Sequence, residues 1–282
     1  MSAAGRFRVV VAMAAFCGAS ALAEVGFGVG VATYTFRKYT AFEAIELTKS
    51  CGGDVIEFFL WQKLSPEHPG VVLNQDLSDE HLAALKAKLD AAGVKAVNAY
   101  FNNAAFGDKD KVEENLRKLF GFARKLGLSG LTGEPPTEYL DLVEKMVKEY
   151  DIRLHFHNHP KNPDKPDYRN WDPAYLMALM DGRDPRMGFS VDTGHFSRSG
   201  VSPAEVVALF GKRVHSVHLK DVKEATKESI DVPYGQGIGN MAEVLAVLKR
   251  QGFSGHVAVE YENLTEHLLY DVKHCIGFIR SH

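Results

Sequence analysis

Four short runs in the second half of the chain concentrate histidines and carboxylates. They are His155-Phe156-His157-Asn158-His159, Val191-Asp192-Thr193-Gly194-His195, His215-Ser216-Val217-His218-Leu219-Lys220-Asp221 and Glu260-Tyr261-Glu262. Each ends an apolar stretch of strand length, so four consecutive strands deliver a His, Asp or Glu to one rim. Two imidazoles and two carboxylates suit one divalent ion (Mn, Co, Fe or Zn) with open coordination positions. A single residue of this kind is ordinarily a satisfied structural group. The alignment of four at one strand level is what points to a metal.

These strands belong to a regular alternation. Strands are expected at Gly26–Thr33, Asp54–Phe59, Lys95–Phe101, Leu128–Thr132, Arg153–His159, Met187–Asp192, Val214–Leu219 and His256–Tyr261. Helices are expected at Ala41–Ser50, Asp79–Ala92, Lys109–Leu126, Tyr139–Tyr150, Pro173–Met180, Pro203–Phe210, Met241–Gln251 and Glu266–Ile279. Ser78, Asp172, Ser202 and Asn240 stand at N-cap positions, and Gly52-Gly53 and Gly93 stop helices. Eight strand–helix units of this length match an α/β fold of the (β/α)8 TIM barrel type, whose chemistry sits at the C-terminal ends of the strands. A doubly wound open sheet is the alternative, but no Gly-rich fingerprint follows the first strand. Gly235-x-Gly237-x-Gly239 reads first as a flexible strand-to-helix loop, with a phosphate cradle as the alternative.

The chain has 282 residues, 45% apolar and 24% charged, which excludes a disordered, collagen-like or coiled-coil protein. With 33 Lys+Arg against 36 Asp+Glu it has no basic surplus, so a nucleic-acid partner is not expected. Arg6 and Arg8 precede the apolar stretch Val9–Ala23, which ends Ala21-Leu22-Ala23, the order of a secretory signal peptide. The stretch is shorter than the ~20 residues of a spanning helix. Residues 1–23 are thus expected to be a cleaved leader and residues 24–282 one barrel domain. The expected location is the periplasm, with no stable membrane insertion after cleavage. Loss of the two arginines takes the net charge from −3 to −5. Cys51 and Cys275 then remain, too few for a disulfide framework. They are expected on the first and last helices, neighbours in a closed barrel, as two buried thiols, with a disulfide as the alternative.

From Val25 to the C-terminus the sequence resembles the xylose isomerase-like barrel superfamily, of the sugar phosphate isomerase/epimerase and endonuclease IV type. The most specific motifs are Asp192-Thr193-Gly194-His195, the run Val214–Asp221, and Pro233-Tyr234-Gly235-Gln236-Gly237 ahead of Glu260. The resemblance implies that His157, Asp192, His218 and Glu260 bind the metal. It also implies that His195 contacts substrate and that Glu260 carries a proton. Glu262 shares the orientation of Glu260 by the strand's period of two, so a one-step misalignment would exchange them.

Two departures matter. The family's epimerases end strand five with a second catalytic Glu, where this chain has His157; a coordinated imidazole cannot replace that base. Glu134, in Gly133-Glu134-Pro135-Pro136, is the candidate for the missing carboxylate. Glu224 stands where an Arg is usual, so Lys220 or Lys223 is the candidate cation. The resemblance implies that the metal acidifies a carbon-bound proton by stabilising an enediolate, with Glu260 as base and His195 as acid or hydrogen-bond donor. The expected activity is a metal-dependent isomerase or epimerase of a keto-sugar. A lyase or dehydratase, acting by loss of a β-hydroxyl or of the β-glycosidic oxygen of a keto-glycoside, is the alternative, because His-x-His on strand five is similar to inosose dehydratases. A silent carbohydrate-binding barrel is a third reading. The endonuclease reading fails on Asp231, followed by Val232 and Pro233 where Asp-x-His is needed. His159, Lys220, Glu134, Glu57 and Trp61 are expected to meet the sugar. Tyr34, Asn98, Tyr100, Tyr168 and Trp171 are further candidates for stacking and hydroxyl recognition. The expected ligand is an unphosphorylated keto-sugar or glycoside, since no Arg cluster lies at the rim of strands seven and eight. A homo-oligomer is left open.

Overall fold

The computed structural model describes residues 26–282; the expected leader lies outside them. Eight parallel strands close into a barrel: β1 (Gly28–Ala32), β2 (Val55–Phe59), β3 (Lys95–Tyr100), β4 (Gly130–Gly133), β5 (Arg153–His157), β6 (Met187–Asp192), β7 (Val214–Leu219) and β8 (His256–Val259). Neighbours follow chain order, and β8 pairs with β1 to close the ring. The doubly wound alternative is thereby set aside. Four of the strands, β2, β6, β7 and β8, are buried along their whole length, as expected where helices cover the outside and side chains fill the inside.

The main helices are α1 (Ala41–Ser50), α2 (Asp79–Ala92), α3 (Val112–Leu126), α4 (Leu140–Tyr150), α5 (Pro173–Met180), α6 (Thr193–Arg198), α7 (Pro203–Phe210), α8 (Met241–Arg250) and α9 (Leu268–Ser281). Ser78, Asp172 and Ser202 accept backbone N–H bonds as N-caps of α2, α5 and α7. Such caps each contribute about 1 kcal/mol. Asn240 departs from expectation. Its side chain caps nothing, and it stands at φ 50°, ψ 57°, a left-handed conformation that Asn tolerates. Cys51 and Cys275 are both buried free thiols, so the bridged alternative falls. Among the described residues no helix is long and apolar enough to cross a membrane.

The six-residue α6 and two small antiparallel pairings escaped the alternation because they are short. Lys63–Ser65 and His68–Val72 form an antiparallel hairpin in the loop after β2. Gln62 anchors that loop by donating to the carbonyls of Phe36 and Tyr39, each at 3.0 Å. Asp221–Val222 pairs with Asp231–Val232 after β7.

Candidate metal and carbohydrate site

The motif Asp-Thr-Gly-His at the end of β6 is built by local hydrogen bonding. Asp192 is the N-cap of α6: its Oδ1 accepts the His195 N–H at 2.8 Å, which fixes the three-residue spacing between them. Asn158 clamps the Asp192 backbone from both sides, accepting its N–H at 2.8 Å and donating to its carbonyl at 3.0 Å. Thr193 Oγ1 accepts the Lys220 N–H and donates to the Lys220 carbonyl, both at 2.8 Å, which ties β6 to the end of β7. A Cβ on Gly194 would lie 2.6–2.9 Å from the stem of Lys220, so the glycine lets that side chain pass.

Period two then turns His157, Asp192, His218 and Glu260 inward at one level. Their ligand atoms all lie within 4.8 Å of one another. His157 Nε2 is 3.2 Å from His218 Nδ1 and 3.7 Å from Asp192 Oδ2; Glu260 Oε2 is 2.6 Å from His218 Nδ1. Two nitrogens bound to one tetrahedral ion at about 2.0–2.1 Å would stand about 3.3 Å apart. Asp192 Oδ2 and Glu260 Oε2 are buried and take part in no well-formed hydrogen bond. Buried oxygens of this kind are expensive unless cations meet them, and the Lys220 ammonium, 3.1 Å from Asp192 Oδ2, is shared with Glu260 and Glu262. The donor set, two imidazoles and two carboxylates, therefore fits a divalent metal.

The electrostatics favour positive charge at the same point. Burial would push His218 towards neutrality, but Glu57 and Glu260 on either side hold its proton affinity well above that of a free histidine. Burial would raise Glu260, but Lys220 and His218 keep its carboxyl below the usual range. Burial raises Asp192 despite the nearby Lys220 ammonium. That ammonium is fully buried, 3.1 Å from Asp192 Oδ2, 3.6 Å from Glu260 Oε1, and paired with Glu262.

His195 is held differently. The Arg198 guanidinium donates to its Nδ1 at 3.2 Å, and Arg198 is itself tied to Asp231 at 2.5 Å. A permanently charged donor on Nδ1 leaves Nε2 as the nitrogen that carries hydrogen. Burial, and then the Lys220 charge, push the His195 pKa well below its ordinary value, so this ring is neutral.

Above the cluster opens a cavity of about 370 Å3 lined by Tyr34, Trp61, Tyr100, His159, His195 and Glu262, among others. Phe59 and Tyr100 stack at 4.6 Å with 1° between planes, and Trp61 stands edge-on to both. That aromatic wall suits the C–H face of a sugar. His159 stacks on His195 at 4.9 Å and is ion-paired with Glu134. Glu134 also accepts from Tyr168 Oη at 2.7 Å and Asn170 Nδ2 at 2.8 Å. With its carboxylate held by three donors, Glu134 titrates below the usual range despite its burial.

Three expectations are corrected by placement, and one alternative falls. Glu57 does not reach the cavity. It is 1% exposed beneath the cluster, with Oε1 3.0 Å from His218 Nε2 and Oε2 3.1 Å from His256 Nε2. It orients His218, in the manner of carboxylates that support metal-binding imidazoles. Asn98 also lies below the rim, donating to Thr132 Oγ1 at 2.5 Å. Lys220 is 0% exposed, and its charge serves the carboxylates around it rather than the cavity wall. The glycine loop does not present a free cradle: the N–H groups of Gly235, Gly237 and Gly239 all donate to the Asp221 carboxylate, at 3.0–3.1 Å. A carboxylate already fills the place a phosphate would take. Glu260 and Glu262 both line the cavity, and it is Glu260 that joins the cluster. The support given by Glu57, His256 and Arg198 was missed by sequence reasoning. Period two back from Glu260 does turn His256 inward, a signal that could have found it.

The sequence profile of the xylose isomerase-like TIM barrel family matches residues 45–282, and the chain belongs to that family. Among curated relatives, an inosose isomerase of Halalkalibacterium halodurans is 25% identical over 242 residues, covering 77% of this chain and 80% of the relative. Inosose dehydratase 2 of Bacillus cereus is 28% identical over 135 residues, 42% of this chain and 43% of the relative. The chain spans only about two fifths of the length of the first curated relatives it matches. A solved structure of an uncharacterized protein from Parabacteroides distasonis superposes with a TM-score of 0.69 at 28% identity, covering 90% of this chain and 98% of that one.

Proposed function

We propose that this protein is a metal-dependent isomerase or epimerase of an unphosphorylated keto-sugar, exported by the segment 1–23. The observation that carries the reading is the convergence of His157, Asp192, His218 and Glu260 beneath an aromatic cavity. A divalent ion held by these four residues would supply Lewis acidity to a carbonyl and its neighbouring hydroxyl, favouring an enediolate. The protein's own groups do the rest. Glu260, kept ionised by Lys220 and His218, accepts the carbon-bound proton. His195 donates a hydrogen bond from Nε2 to a substrate oxygen, a polarity set by Arg198. The aromatic wall orients the ring and excludes water. The Asp221-filled glycine loop and the acidic chain support a ligand without phosphate.

A second reading, loss of a β-oxygen substituent in a lyase reaction, is favoured by the His159–Glu134 pair on the cavity wall. An imidazole backed by a carboxylate is suited to protonate a leaving oxygen. Its kinship is the partial match to an inosose dehydratase. One experiment addresses both. Keto-hexoses and their phosphate esters are incubated with metal-loaded protein in D2O and followed by NMR. Deuterium entering a carbon-bound position, with isomer formation abolished by Glu260→Gln, supports isomerisation. An unsaturated or dehydrated product moves the assignment to the lyase. Preference for the ester by more than about tenfold, ~1.4 kcal/mol, would overturn the unphosphorylated substrate.

A further inference from the structure

A second cavity, of about 360 Å3, lies beside the first. Glu134, Pro160, Asn162, Tyr168 and Lys227 contribute to its walls, and His159 lines both chambers. The His159 side chain is 43% exposed, so the ring is a sill between the chambers rather than a partition. The sill is rigid. His159 is pinned to Glu134, and Glu134 is pinned in turn by Tyr168 and Asn170.

The two chambers differ in chemistry. The inner one has the carboxylate–imidazole cluster and the aromatic wall. The outer one has no member of that cluster. It offers the Pro160 and Tyr168 rings as apolar faces, with Asn162, Lys165 and Lys227 as polar groups around them. Lys227 donates to Asn162 Oδ1 at 3.1 Å, and Asp164 Oδ2 lies 3.9 Å from the same ammonium. The nearby acid and amide leave the outer chamber without a concentrated positive charge. Flat apolar patches with mixed donors and acceptors fit a hydroxylated ring better than a phosphate or sulfate. Pockets for drug-sized ligands ordinarily measure about 300–1,000 Å3. The inner chamber alone sits at the lower end of that range, and the pair reaches its middle.

From this juxtaposition we infer that the substrate has two units: a glycoside or disaccharide with its ketone-bearing ring over the cluster, its second ring in the outer chamber and its bridging oxygen at His159. With Nδ1 held by Glu134, Nε2 is the His159 nitrogen left to meet that oxygen. The inference rests on the reading of the inner site as a keto-sugar site and deepens it.

The test is calorimetric and does not depend on turnover. Metal-loaded protein is titrated with a glucosyl disaccharide oxidised to a ketone on its non-reducing ring, and with the matching keto-hexose. The expected result is at least tenfold tighter binding of the disaccharide. Asn162→Trp, which fills the outer chamber with a large ring, should bring the ratio of the two dissociation constants to about one. Lys227→Ala should reduce the ratio less. Equal binding of the two ligands by the unaltered protein overturns the two-unit substrate and leaves the inner site standing. A ratio unmoved by Asn162→Trp does the same. Binding of neither ligand overturns the inner-site reading, and this inference with it.

Discussion

Two layers of histidine lie one above the other inside the barrel, and they differ in what faces them. In the lower layer His155 Nδ1 lies 3.2 Å from Asn98 Nδ2 and 3.0 Å from Ser216 Oγ, while His256 meets Glu57. Burial, helped by the neighbouring imidazoles, pushes His155 well below its ordinary pKa. A Cβ on Gly130 would fall 2.4 Å from the His155 ring, so room for that imidazole is made by the neighbouring strand. In the upper layer His157 and His218 face two carboxylate oxygens, Asp192 Oδ2 and Glu260 Oε2, that take part in no well-formed hydrogen bond, and a cavity opens above them. His155 and His157 lie two residues apart on one strand and both point inward. Depth along the strand, not residue type, separates a structural imidazole from a candidate ligand. Glu57 joins the layers, with one oxygen on His218 above and the other on His256 below.

The sharpest break in that comparison is one substitution in each layer. His218→Ala should abolish metal binding and reduce turnover by at least about a thousandfold, with the barrel intact by circular dichroism. His155→Leu should keep full metal content, yet lose about 1–3 kcal/mol of stability by stranding Asn98 and Ser216. Metal analysis and urea unfolding on both variants check this. Full occupancy in His218→Ala would remove the upper layer's assignment.

A smaller effect is expected at the link. Glu57→Gln preserves shape and removes the charge behind His218. Metal affinity should fall by about 10–100-fold, the usual weight of a group supporting a ligand imidazole. Competition with a chelator measures it. An unchanged affinity would mean that Glu57 serves the lower layer alone.

Much of this arrangement was legible in the sequence. Alternation gave the barrel, and the period of two with strand ends gave His157, Asp192, His218 and Glu260 one level. Glu57 and Asn98 were misplaced because level depends on register, and register slips where the sequence carries no mark. One shift falls between Ile56 and Glu57 in the β2–β3 pairing, and another between Phe189 and Ser190 in the β6–β7 pairing. The phosphate-cradle alternative for the glycine loop falls for a different reason. Its spacing does form a ring of N–H donors, but their acceptor, Asp221, is 14–18 residues away, and only the fold brings it there.

The least of the expected effects concerns acid and His215, at the bottom of the barrel. The register slip pairs Val214 with Phe189 and Ser216 with Ser190, which leaves His215 as the extra residue. Its ring lies against Gly188 and 5.3 Å from His155, with Arg153 and Arg213 nearby. Burial, and then the Arg153 charge, bring its pKa down to about 4. The unfolded chain titrates near 6.5. Between these values the unfolded state binds the extra proton, so the contribution of neutral His215 is complete above about pH 6.5 and is lost as pH falls towards 4. The upper limit is about 3 kcal/mol. In metal-free protein, urea midpoints should therefore fall from pH 6.5 to 4, and His215→Asn should flatten that slope even if it lowers stability throughout. His155 remains in the variant and keeps part of the slope, since it too is buried neutral. An identical slope in the two proteins would mean that His215 is as easily protonated folded as unfolded, and that the lower layer's acid sensitivity resides in His155.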